Sequence, residues 1–389
     1  TIGTTNQPSN VSLDGLGTLT IAAITGNTAN TVVDVTARAD LNVDGTITTG
    51  TGTISLAADF KADSTADNGT GILNLMSAAS VTSANTTTSA ITLRGGGITI
   101  DTSGAPASVS ATGTTGGVAV RGSVATRPMS LGGTDTAVTG VNLTDAELGK
   151  ISTLTGGRIT FGDTAQTGNI TFTTATPATT AGAAIFAVQS TTGGGKIVLD
   201  DAGAATALAG GSSVIDLTAG TLGITAATTN NAFAEIATTG ATVTLNTTGT
   251  IGTNANRIQF ANNTTVAQQR VTIGTTNQPS NVSLDGLGTL TLGAVSTNNA
   301  VLDVIAAGAI TAGGAVSTAG GRIDLKSGGL ITIDSNVSAA AGNVYLTSGA
   351  GITQTTGIIT SSTLGMNASG AISVNNANTV STLAAKTTV

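Results

Sequence analysis

Two groups of charged residues in this chain of 389 residues have the types and spacing to do chemistry. Asp200 and Asp201 are adjacent, and glycoside hydrolysis needs a pair of carboxyl groups, one as general acid and one as base or nucleophile. Neighbours along a strand point to opposite faces, so these two would not share a cleft. A corner of the chain, where aspartate tolerates tight backbone geometry, is the preferred reading. Asp59, Lys61 and Asp63 alternate, so a strand would project all three from one face, where they could hold a cation or a uronate. Stacking could bring Arg38 or Arg94 beside them. Solvated strand positions next to a turn explain the same pattern equally well.

Other chemistries lack their residues. Histidine and cysteine are both absent, which excludes a Ser-His-Asp triad, histidine or thiolate metal sites and thiol catalysis. Glutamate occurs only as Glu147 and Glu235. The run GGGK at Gly193–Lys196 lacks the upstream spacing and the following Ser or Thr of a phosphate-binding loop. Gly15–Gly17 leads into another strand, not a helix, so it is no dinucleotide fingerprint. Nor is there a calcium-binding glycine-aspartate nonapeptide. The sequence therefore assigns no catalytic, cofactor-binding or metal-ligating residue, and no cofactor is expected. Twenty acidic against 13 basic residues, spread thinly, leave a net charge of −7 and no basic face for nucleic acid. No run of about 18 apolar residues predicts a membrane span.

The elements that would position these residues follow from composition and period. Charged residues are 8% and aromatics 2%, while glycine contributes 54 residues, so the apolar share comes from small and branched aliphatics that suit short strands. Triplets with apolar first and third residues recur: ISL at Ile54, LNL at Leu73, ITL at Ile91, ITI at Ile98, VAV at Val118, and ITF at Ile159 and Ile170. They continue as IVL at Ile197, IDL at Ile215, VTL at Val243, IQF at Ile258, VSL at Val282, IDL at Ile323 and VYL at Val344. Period two is the strand period. Intervals of 18 to 21 residues, as in Ile54 to Leu73, Leu73 to Ile91 and Ile323 to Val344, favour a solenoid over a sandwich. The predicted class is all-β: a parallel β-helix of roughly 20 residues per coil, with glycine, Asn and Asp at its corners.

One helical signal interrupts the pattern. Thr144 followed three residues later by Glu147 has capping-box spacing, so Thr144–Leu148 predicts a short helical turn on the outside of the coils, where covering core is the preferred role and contact with a partner the alternative. Threonines that share a strand face, such as Thr46 with Thr48 and Thr171 with Thr173, predict outward columns of hydroxyls. Their plainest role is a soluble, uncharged surface.

The run GVNLTDAELGKISTLTGGRITFGDTAQTGNITF, from Gly140 to Phe172, resembles a recurring element of the very large filamentous-haemagglutinin-type adhesins of bacteria. The strand patterns of that family are similar to those found over almost the whole chain. The resemblance implies a right-handed parallel β-helix, export across the outer membrane and a role at the cell surface. The family's N-terminal secretion domain is missing from these residues.

The segment TIGTTNQPSNVSLDGLGTLT occurs at Thr1–Thr20 and again, unchanged, at Thr272–Thr291. Outward positions such as Asn6 and Gln7 need not be kept for packing, so identity implies a recent duplication. The expected organisation is one continuous β-helical rod over 1–389, with a super-repeat unit 1–271 and a partial second copy 272–389, cut from a longer array. The expected function is a non-enzymatic structural segment of a bacterial extracellular filament or adhesin stalk, serving attachment, cell-cell contact or biofilm matrix. The expected partners are the chain itself, end to end or side by side, and host or neighbour-cell glycans. A self-assembling matrix or sheath fibre is one alternative. A carbohydrate-binding or polysaccharide-degrading β-helix is another, with Asp59, Lys61, Asp63, Asp200 and Asp201 as its residues.

Overall fold

All fourteen alternating triplets become strands, and in each the first and third side chains are buried. The computed structural model describes residues 1–3, 5–26, 30–60, 67–177, 183–239, 242–262 and 270–388. Contacts divide the chain into two compact units, Thr1–Gly195 with Ala209–Val214, and Lys196–Leu208 with Ile215–Val389. Each is a parallel β-helix.

The first unit has three faces, each a parallel ladder. One stacks Asn10–Gly15, Val32–Ala37, Ile54–Ala57, Ile91–Gly95, Gly117–Gly122, Arg158–Gly162 and Ala184–Val188. A second stacks Leu19–Ile21, Leu41–Val43, Ile72–Leu75 and Gly97–Ile100. The third stacks Ile24–Thr25, Thr46–Thr49, Ser80–Ser83, Ser108–Ala111 and Ile151–Thr153. Inward residues align as columns, such as Val33, Ile54, Ile91, Val118, Ile159 and Ile185, all buried. Each such side chain contributes about 1.5–3 kcal/mol by leaving water. Phe161 and Phe172 meet edge to face, with ring centroids 5.9 Å apart.

The second unit repeats the plan. Asn281–Gly286, Leu302–Ala306, Ile323–Ser327, Asn343–Ser348, Ile359–Ala368 and Thr379–Thr387 form one ladder. Leu290–Thr297, Ile310–Ala312, Ile331–Ile333, Ile352–Gln354 and Ile372–Ser373 form another. Here the expected coil of roughly 20 residues holds, because Val282, Leu302, Ile323, Val344 and Leu364 are stacked partners 20 or 21 residues apart.

Many coils elsewhere are longer, such as the 37 residues from Ile54 to its partner Ile91, and two of the intervals used to predict the coil join different faces. Ile54 stacks on Val33 and Ile91, whereas Leu73 stacks on Leu41 and Ile98. The interval from Val118 to Ile159 holds the strands Met129–Gly132, Val141–Thr144 and Ile151–Thr153 and the helical turn Asp145–Leu148, and the ladder still pairs Val118 with Ile159.

Glycine serves two purposes. Gly162 has a left-handed φ of +76°, which the corner geometry requires. Gly45 is present because the neighbouring coil comes close: a Cβ there would lie 1.5 Å from the Ala22 carbonyl oxygen. Eleven glycines among the described residues have positive φ, so close approach of coils, as much as turn conformation, accounts for the glycine content.

Candidate functional site

Asp59 has a left-handed φ of +54° and is 2% exposed. It therefore does not start the strand face predicted for Asp59, Lys61 and Asp63. Its Oδ1 accepts the Asn68 N–H at 3.2 Å, and its Oδ2 accepts the Gly69 N–H and the Ser123 hydroxyl, each at 2.6 Å. With these donors the carboxylate holds three segments of one corner together. Lys61 and Asp63 lie outside the described residues. Arg94 does reach this corner by stacking, as expected, and it pairs with Asp67 at 2.8 Å and the Ser123 carbonyl at 2.6 Å. Its guanidinium lies over the Phe60 ring, 4.7 Å from the centroid.

Asp200 and Asp201 point to opposite sides. Asp200 ends the strand Lys196–Asp200, and its Oδ1 accepts the Ala202 N–H at 3.0 Å, a local turn bond. Asp201 is fully buried. Its Oδ1 accepts the Gly203 N–H at 2.9 Å and the Thr228 hydroxyl at 2.6 Å, and its Oδ2 accepts the Asn231 amide at 2.6 Å. This is a corner buttress linking one coil to the next.

The helical element α1 is Asp145–Leu148, with both halves of the capping box formed on Thr144 and Glu147. Leu148 and Glu147 are buried, so the turn covers core as its sequence predicts. Glu147 Oε2 accepts the Thr144 N–H at 2.8 Å, while Oε1 accepts the Ile100 N–H at 2.8 Å. A side-chain carboxylate thus satisfies a strand donor at the edge of the ladder ending in Gly97–Ile100. Beside α1 lies a cleft of about 430 Å³, lined by Met76, Thr99, Asp101, Asp135, Thr144 and Glu147 among others. Hydrogen bonds from the Ser103 hydroxyl and N–H hold the Asp101 carboxyl below its usual range.

Hydroxyl columns form at outward positions, the one through Thr48 among them, whereas Thr171 stacks on the buried Ser130. Thr25, Thr48, Thr82, Ser110 and Ser152 stack in register in the first unit, and Thr291, Thr311, Thr332, Thr353 and Ser373 in the second.

Sequence reasoning missed a buried polar network in the second unit. Gln259 is its centre: its amide nitrogen donates to the Asn231 carbonyl and to Asp285 Oδ2, each at 3.0 Å, and its amide oxygen accepts the Asn231 N–H at 2.9 Å. The Gln259 backbone N–H donates to Glu235 Oε2 at 2.6 Å. Arg257 is paired with Asp303 at 2.5 Å and donates to the Leu284 carbonyl at 3.1 Å. Burial pushes the Glu235 carboxyl up to about 8, opposed by the Gln259 N–H and reinforced by the charges of Asp201 and Asp285. Burial also raises Asp285, against the Gln259 hydrogen bond and Arg257. Asp324 is raised by burial too, with Arg322 opposing. The only sequence signal was polar residues at outward or corner positions of four separate coils.

Among the described residues, no group of three or more Asp, Glu, His or Cys side chains is placed to hold a metal ion. No helix among them is long and apolar enough to cross a membrane. Comparison with family models, with curated proteins and with solved structures finds no match to this chain. The fold class is a parallel β-helix built from repeated coils.

Proposed function

We propose that this chain is a non-enzymatic structural segment of a bacterial extracellular filament or adhesin stalk, in which stacked coils act as a stiff spacer. The observation that carries this reading is the in-register stacking within each unit, coil upon coil, with buried aliphatic columns and uncharged outward hydroxyl columns. Its support includes the fate of the acidic candidates. Asp59 and Asp201 spend their oxygens on backbone and side-chain donors of their own corners, an arrangement suited to holding turns. The place of action in this proposal is the cell surface, with attachment, cell-cell contact or matrix formation as the service. The outward Thr and Ser columns favour a second reading, a matrix or sheath fibre in which copies pack side by side, because flat uncharged hydroxyl faces can approach one another without desolvating charge.

The test is cryo-electron microscopy of native cell-surface material labelled with an antibody to this chain, looking for an axial repeat of about 4.8 Å. Single thin stalks carrying label support the stalk, and laterally packed labelled fibres support the sheath. Label confined to the cell interior, or on no filament, overturns both.

A further inference from the structure

Glu147 and Glu235, the only glutamates of the chain, do the same structural job in different surroundings. Both are buried, and each gives one carboxyl oxygen to a backbone N–H of a neighbouring coil: Ile100 at 2.8 Å for Glu147, Gln259 at 2.6 Å for Glu235. Glu147 fills its other oxygen with the Thr144 N–H and hydroxyl. The other oxygen of Glu235, Oε1, is buried and has no hydrogen-bond partner. Burial and two charged groups that face this corner make a negative charge there costly, while the Gln259 N–H and the residue's own backbone N–H oppose them. Asp201, from the turn after Lys196–Asp200, and Asp285, from Asn281–Gly286, both act on Glu235 as like charges. Arg257, the cation of the corner, is committed to Asp303 and to the Leu284 and Asp303 carbonyls.

An ionised Glu235 would place a charge on an oxygen with no donor, between two carboxylates, at 1% exposure. A neutral carboxyl avoids that cost and still accepts the Gln259 N–H through Oε2. We propose that Glu235 is a proton-operated latch: while its carboxyl is protonated, the corner that stacks Ile236–Ala237 on Ile258–Phe260 stays closed, and losing that proton opens it. The raised carboxyl, at about 8, sets the working range between neutral and mildly alkaline solution. Opening would break the Ala261 N–H to Ile236 carbonyl bond and loosen the Gln259 bonds to Asn231 and Asp285. The inference rests on the geometry of the second unit and is independent of the filament proposal.

The experiment is hydrogen exchange on the full chain at pH 6 and pH 9, corrected for intrinsic rates, reading the Gln259 and Ala261 amides with Ile323–Ser327 as internal control. The latch predicts protection that falls about tenfold by pH 9 at Gln259 and Ala261 but not in the control, and no such fall in Glu235→Gln. Equal protection at both pH values in the unaltered chain overturns it, as does a pH-dependent loss that persists in Glu235→Gln. Should that variant fail to fold, glutamate labelled with ¹³C at the side-chain carboxyl gives only two signals in the unaltered chain, assigned by the loss of one in Glu147→Gln. A Glu235 signal titrating near pH 8 supports the latch, and one titrating below pH 6 overturns it.

Discussion

Leu13 and Leu284 occupy the same position of the same twenty-residue segment, and only Leu284 is fully closed off from solvent. Asn10–Gly15 pairs with Val32–Ala37, whereas Asn281–Gly286 pairs with Leu302–Ala306 on one side and with Thr250–Ile251 and Ile258–Phe260 on the other. Ser12 is exposed, while Ser283 is buried and donates to Asn254 Oδ1 at 3.1 Å. Identical residues thus acquire different burial from the coils stacked on them.

The two leucines should therefore differ in cost. Leu284→Ala is expected to remove about 2–5 kcal/mol, the usual range for emptying a closed core site. In a chain of these 389 residues Leu13→Ala should cost about 1 kcal/mol, because with a coil paired on one side its side chain gives up less burial. Hydrogen exchange of the flanking strand amides measures each loss locally, and equal losses would contradict the difference in packing.

Adjacent aspartates should separate in the same way. Asp201→Ala leaves the Gly203 N–H, the Thr228 hydroxyl and the Asn231 amide without their acceptor in a buried corner, at a cost of about 2–4 kcal/mol. Asp200→Ala removes one exposed turn bond and should cost about 0.5–1 kcal/mol. Urea denaturation of both variants decides it. A larger loss in Asp200→Ala would mean that the outward carboxylate has a role beyond the turn.

Strand identity was legible in the sequence because the period-two pattern of residues such as Ile54 and Leu56 says which side chains face inward. Stacking register was not, because the pattern carries no information about which strand lies above. Ile54 and Leu73 look one coil apart yet belong to different faces. The capping box of Thr144 and Glu147 was legible as local chemistry, but the Ile100 N–H that Glu147 accepts lies 47 residues away. Asp201 could be read as a corner residue, though its partners Thr228 and Asn231 come from the following coil. The Glu235, Gln259 and Asp285 network needs three coils of unequal length to be registered first, which no local spacing supplies.

The α1 turn should be held more by its glutamate than by its threonine. Glu147→Ala strands the Ile100 and Thr144 N–H groups, at about 2–4 kcal/mol, and should accelerate exchange at the Ile100 amide. Thr144→Ala loses the cap bond from the Glu147 N–H and the hydroxyl bond to Glu147 Oε2, which leaves the Ile100 bond in place, at about 1 kcal/mol. If the Ile100 amide exchanges equally in both variants, the carboxylate is not what closes that ladder edge.

Stability of the second unit should fall as pH rises from about 5 to 8. Glu235 titrates near 8 in the folded chain against an ordinary value of 4.5, and Asp285 and Asp324 are raised as well, so between these limits the folded unit binds more protons than the unfolded chain. The stabilisation is complete below the ordinary carboxylate range and is lost as pH climbs through the folded value. Glu235, nearly all buried, contributes on the order of 2–4 kcal/mol of this change. Tyr345 is the single tyrosine, lies in this unit and has no tryptophan to mask it, so its fluorescence reports the unfolding. The urea midpoint should be lower at pH 8 than at pH 5.5, and Glu235→Gln should remove most of the difference, leaving the share of Asp285 and Asp324. A midpoint that rises with pH would reverse the sign and show that these carboxyls are stabilised as anions. A slope unchanged by Glu235→Gln would assign it to relief of the general net charge instead.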